Sequence, residues 1–182
     1  MSAEHQDAIT PHGGGELIDR AVPVPERAAA RAHAGKLPIV TLGARELADL
    51  EMIATGAFSP LTGFMGEADY LRSRDDLRLA NGVPWSIPIT LGVGDAEARE
   101  LRPGQEIALA ADGGSRIATL KIGEIYRVDR KREAEAVFGT ADDAHPGAKN
   151  VTSTPPWCVA GPVSLFEDIP GRTFLDYPRE PR

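Results

Sequence analysis

A mixed α+β, barrel-like domain is the fold class this sequence predicts, on three observations. Apolar residues from Trp85 onward recur with period two, as in a half-buried strand. Asp112-Gly113-Gly114 lies between two short apolar runs, which is a hairpin signal because glycine tolerates positive φ. The helical patterns are short, end on glycine, and do not alternate with strands in the way that βαβ units do.

In chain order, residues 1–15 are polar, lack periodicity and end in Gly13-Gly14-Gly15, so they read as a flexible arm with Leu17-Ile18 as its docking pair. Residues 16–172 form the domain proper. Glu26 to Ala34 has an acid at its start, three consecutive alanines and Gly35 at its end, predicting a short helix. Leu37 to Leu42 reads as a strand. Leu47, Leu50 and Ile53 place a helix between Ala44 and Thr55, stopped by Gly56. The segment GAFSPLTGFM is a turn-rich loop carrying Phe58, Leu61, Phe64 and Met65, and a second short helix follows over Glu67 to Arg74. Ile87, Ile89, Leu91 and Val93 alternate with Pro88, Thr90 and Gly92, and the prolines put this strand at an edge or bulge. Ile107–Ala110 and Ile117–Ile122 form the hairpin, with Gly123 a bulge where the inward phase slips. Arg130 to Phe138 is a helix ended by Gly139, and Trp157 to Leu165 returns to strand. Residues 173–182 lose periodicity, contain Pro178 and Pro181, and read as the start of a linker.

Composition narrows the function classes. In 182 residues, hydrophobic side chains make up 42% and charged ones 26%, which fits a globular domain and excludes a disordered or collagen-like chain. Asp+Glu exceed Lys+Arg, 27 to 20, so the net charge of -7 argues against a fold-wide nucleic-acid grip. No apolar run approaches the roughly 18 residues of a membrane helix, and the amino terminus has no secretory pattern, so a cytoplasmic protein is expected. Cys158 is alone and cannot form an internal disulfide.

The residues assemble no active site on their own, and no catalytic, cofactor-binding or metal-binding residue is assigned. Gly13-Gly14-Gly15 lacks the spacing and lysine of a phosphate loop. His5, His12, His33 and His145 are widely separated, and the turn holding Asp142, Asp143 and His145 is explained by capping and loop preferences. Ser59 precedes Pro60 and is not in a nucleophile elbow, and Cys158 has no basic neighbour in sequence to lower its pKa. Arg127, Arg130, Lys131 and Arg132 are followed directly by Glu133 and Glu135, as on a solvated helix face.

Several blocks taken together are more specific: PHGGG at 11–15, DLEMIATGAFSPLTGFM at 49–65, WSIPITL at 85–91, LRPGQEIAL at 101–109, EIYRVDRK at 124–131, VFGT at 137–140, HPG at 145–147 and AGPV at 160–163. In this order they resemble the amino-terminal domain of ATP sulfurylase (sulfate adenylyltransferase), over nearly the whole chain. The resemblance implies a PUA-like pseudobarrel of short mixed strands decorated by short helices. It also implies a parent reaction in which sulfate attacks the α-phosphorus of Mg-ATP, giving adenosine 5′-phosphosulfate and pyrophosphate. That family's nucleotide and sulfate are held by a second domain with a Gln-x-Arg-Asn-Pro-x-His-x-x-His-like signature. This sequence has neither Gln-x-Arg-Asn nor His-x-x-His, so no catalytic residue carries over, no cofactor is expected in this chain, and residues 173–182 look like the connector to a missing catalytic domain.

The expected role is therefore an accessory domain, inactive alone, whose partner is that catalytic domain; a homo-oligomeric parent enzyme stays open. The candidate contact is the loop carrying Phe58, Ser59, Pro60, Leu61, Gly63, Phe64 and Met65. The competing reading is that these side chains fill the domain's own core, and burial of Phe64 and Met65 distinguishes the two. The alternative function is a stand-alone PUA-like module binding RNA or a protein, which requires a coherent cationic face around Arg127–Arg132.

Overall fold

The computed structural model describes residues 10–169, so the first nine residues of the arm expected over 1–15 and the linker expected over 173–182 lie outside the described residues. Six helices and seven strands alternate irregularly: α1 (Arg27–Ala34), β1 (Ile39–Thr41), α2 (Ala44–Ala54), β2 (Gly63–Phe64), α3 (Glu67–Asp76), β3 (Leu91–Val93), α4 (Asp95–Glu100), β4 (Glu106–Ala110), β5 (Arg116–Lys121), β6 (Glu124–Arg127), α5 (Arg130–Phe138), α6 (Pro146–Ser153) and β7 (Trp157–Leu165). A 3-10 turn at Val24–Glu26 leads into α1. The strands form a curled mixed sheet around one main core, which is the PUA-like α+β pseudobarrel expected from the motifs.

β7 organises the sheet. Its first half lies between β3 and β6, both antiparallel to it, and its second half pairs with β5. Between those halves β2 pairs at Gly63–Pro162 and Phe64–Gly161. β4 and β5 form the expected hairpin; Gly113 and Gly114 adopt φ of 86° and 82° in its turn, and Ala111 N–H donates to Ser115 at 2.9 Å. β1 joins β4 in parallel.

The crossing of β2 over β7 depends on missing side chains. A Cβ on Gly63 would fall 1.8 Å from the Gly161 carbonyl oxygen, and one on Gly161 would fall 2.0 Å from that of Lys121. Gly161 also sits at φ 150°, a conformation that side chains disfavour. Gly123, expected as a bulge, separates β5 from β6 and donates its N–H to Ala160 at 2.8 Å.

Three features differ from the pattern-based expectation. The run 85–93 forms ladder only from Leu91, and Ile87 points out, 42% exposed, because the chain before Leu91 is held by single hydrogen bonds rather than a paired strand. α4 and α6 appear where no periodicity announced them, capped by Glu97 on the Gly94 N–H and by His145 Nδ1 on the Ala148 N–H. The arm expected to be loose through Gly15 is anchored at His12, whose Nε2 lies 2.7 Å from the Pro84 carbonyl oxygen and whose ring packs on Trp85.

Candidate functional site

The 49–65 segment divides between two environments. Leu61, Phe64 and Met65 are 6%, 3% and 2% exposed and belong to the main core beside Leu50, Ile53, Leu120 and Val163. The burial of Phe64 and Met65 assigns those two side chains to the domain itself and removes them from a free contact surface. Ser59 is also enclosed; its Oγ donates to the Gly56 carbonyl at 2.6 Å and accepts the Ile18 N–H at 3.0 Å, so it braces the preceding chain. The Ser59–Pro60 peptide is cis. Pro60 and Gly63 line a cleft of about 250 Å³ with Asp69, Glu124 and Gly161, where Glu124 accepts the Glu67 N–H and caps α3 from β6. Phe58, half-buried, packs on the edge of this core and alone of the loop's large side chains also lines a different face.

On that face lies a groove of about 870 Å³. Phe58 and Trp85 form its floor, edge to face at 5.6 Å, and Leu77, Ile87 and Phe138 its apolar walls. Trp85 is fixed by its indole N–H donating to the Ile87 carbonyl at 2.9 Å. Leu77 ends α3 at φ 55°, ψ 36°, in the left-handed region, and is 54% exposed. A helix stop of this geometry favours glycine or asparagine, and leucine there costs about 1–2 kcal/mol. The polar lining comprises His12, Ser86, Asn150 and the pair Arg45–Asp49, 3.8 Å apart. Burial pushes the Asp49 carboxyl up to about 6 against the opposing pull of Arg45, and Glu46 adds to the rise. This is a surface for seating an apolar group, with Arg45 already engaged. It does not gather the several cations that neutralising a triphosphate would need.

The basic run divides in the same manner. Arg130, expected on a solvated face, is instead 7% exposed and donates to Glu133 at 2.8 Å, to the Pro155 carbonyl and to Cys158 Sγ at 3.3 Å. Glu133 also accepts the Tyr70 hydroxyl at 3.1 Å. Cys158 therefore does have a basic neighbour, supplied by α5 rather than by its own strand, yet burial still pushes its thiol up. Arg132 lies 3.7 Å from Asp75, so the four cations of 127–132 do not present one coherent face. Asp142 and Asp143 bind the Ala144 N–H and the Thr152 hydroxyl, as a capped turn should. Among the described residues no three His, Cys, Asp or Glu side chains are placed to hold a metal ion, and no helix is long and apolar enough to cross a membrane.

Sequence reasoning missed the groove. Its available signal was Leu77 at a helix stop that favours glycine, together with Ile87 preceding a proline.

The family model for the PUA-like domain matches residues 9–168. The chain belongs to the PUA-like domain family. This PUA-like domain is 46% identical over 169 residues to a sulfate adenylyltransferase of Symbiobacterium thermophilum, covering 93% of this chain and 42% of that protein. It is 42% identical to a sulfate adenylyltransferase of Synechococcus sp., covering 96% of this chain and 44% of that protein. A probable bifunctional SAT/APS kinase of Sorangium cellulosum is likewise 42% identical, with 30% of its length covered. Among solved structures, a hexameric APS kinase from Thiobacillus denitrificans superposes with a TM-score of 0.68 at 28% identity, covering 92% of this chain and 28% of that one. The resemblance to sulfate adenylyltransferase carried by the motifs holds, and the PUA-like domain spans less than half the length of these relatives.

Proposed function

We propose that this chain is the accessory domain of a sulfate adenylyltransferase, without catalytic activity of its own, that supports a separate nucleotide-binding part of the enzyme. The observation that carries this reading is the asymmetry of the match: nearly all of this chain, but only 42% of the Symbiobacterium thermophilum relative. In the parent reaction sulfate displaces pyrophosphate from the α-phosphorus of Mg-ATP. Sulfate is a weak nucleophile, so that step rests on alignment and on cations around the phosphates. Neither the groove nor the cleft described above offers such a cluster, and Mg-ATP belongs, on this reading, to the other part of the enzyme. On this reading the parent enzyme works in the cytoplasm.

Two measurements test this. The purified chain incubated with Mg-ATP and sulfate should release no pyrophosphate above the buffer rate. Calorimetric titration with Mg-ATP should give no saturable heat; micromolar binding, or turnover by the chain alone, would overturn the reading.

A further inference from the structure

We propose that the groove floored by Phe58 and Trp85 and walled by Leu77 and Ile87 is the seat for an apolar segment of the polypeptide that sulfate adenylyltransferases possess outside the matched region. The inference rests on the accessory-domain reading above and adds to it the face through which the two parts join.

The groove is not a gap in the domain's own packing. The loop beneath it already places Leu61, Phe64 and Met65 in the core at 6% exposure or less. Yet two aliphatic side chains stand out at its rim, Leu77 at 54% and Ile87 at 42% exposure, beside two half-buried aromatic rings. Leu77 is in a left-handed conformation and its own carbonyl accepts the Trp85 backbone N–H at 2.7 Å, which fixes the backbone from which the exposed side chain projects. Rigid aromatic and aliphatic anchors around a concavity describe the centre of a protein–protein contact. The supply of an occupant is set by length: the matched region accounts for 42% and 44% of two sulfate adenylyltransferases, leaving more than half of each to be accommodated. A second copy is disfavoured, because this chain carries a net -7.

Hydroxyl-radical footprinting tests the assignment. The isolated chain is compared with a chimera in which it replaces the matched region of the Symbiobacterium thermophilum relative; the same two parts mixed in trans serve as a second format. Oxidation of Leu77, Trp85 and Ile87 should fall about threefold or more in the chimera as water is excluded. A double substitution, Leu77→Glu with Ile87→Glu, should leave the isolated chain's Tm nearly unchanged and abolish that protection at Trp85. Protection confined to other surfaces, such as Val24 or Leu71, would overturn the groove while keeping the accessory-domain reading. Absence of protection anywhere on this chain, in both formats, would overturn both. Protection that appears in the isolated chain and grows with its concentration would place a second copy in the groove and overturn the proposal.

Discussion

Arg130 and Glu133 set the sharpest test at the scale of single residues. Each is nearly enclosed, and the pair is completed by Tyr70, Pro155 and Cys158, so removing one partner strands the other charge. Arg130→Ala should destabilise the chain by about 3–5 kcal/mol in urea melts, whereas a charge-free pair of similar volume at 130 and 133 should cost much less. Asp49 behaves in the opposite sense. Its carboxyl titrates at about 6 in the folded chain against an ordinary 3.8, so the folded state holds the proton more tightly. The associated stability is present below pH 3.8 and lost as pH rises through about 6. Asp49→Asn should therefore raise stability by about 1–3 kcal/mol at pH 8 and by little at pH 4, read from Tm against pH. Neither effect was legible in the sequence. The spacing of Arg130 and Glu133 looks like any exposed helical pair, and only the packing of α5 against α6 and α3 turns it inward.

Among the elements, β7 bears the most pairing and β2 crosses it at the closest approach. Gly161→Ala forces a methyl against the Lys121 carbonyl at a φ that side chains avoid, and should cost more than about 3 kcal/mol or abolish soluble expression. Gly139→Ala, at an open helix stop with φ 72°, should cost only about 1 kcal/mol, and comparing the two melts separates close approach from backbone strain. Elements with a local signature were readable: α2 from Leu47, Leu50 and Ile53, α5 from its Gly139 stop, the β4–β5 hairpin from Asp112-Gly113-Gly114. α4 and α6 were not, since six and eight residues with little apolar content depend on capping and on contacts made elsewhere in the fold. The groove escaped for a related reason. Phe58, Leu77 and Trp85 lie far apart in sequence, and Ile87 was assigned inward by a period-two pattern that the ladder does not begin to obey until Leu91.

For the whole molecule, the family and its fold were legible because the motif blocks occur in order across nearly the full chain. The groove was not, because the 58–65 loop holds both Phe64 and Met65 in the core and the half-buried Phe58, and only burial tells them apart. The element on which four other strands converge is the last strand of the described chain. A chain ending at residue 156 should therefore show no cooperative melt and rapid proteolysis, although six of the seven strands remain in it. The same arrangement bears on biosynthesis. A ribosome must extrude Leu165 before the barrel can close, so β2, β3 and β6 wait for their partner while β1, β4 and β5 can already pair among themselves. Whatever polypeptide is translated next meets a scaffold that has only just completed itself.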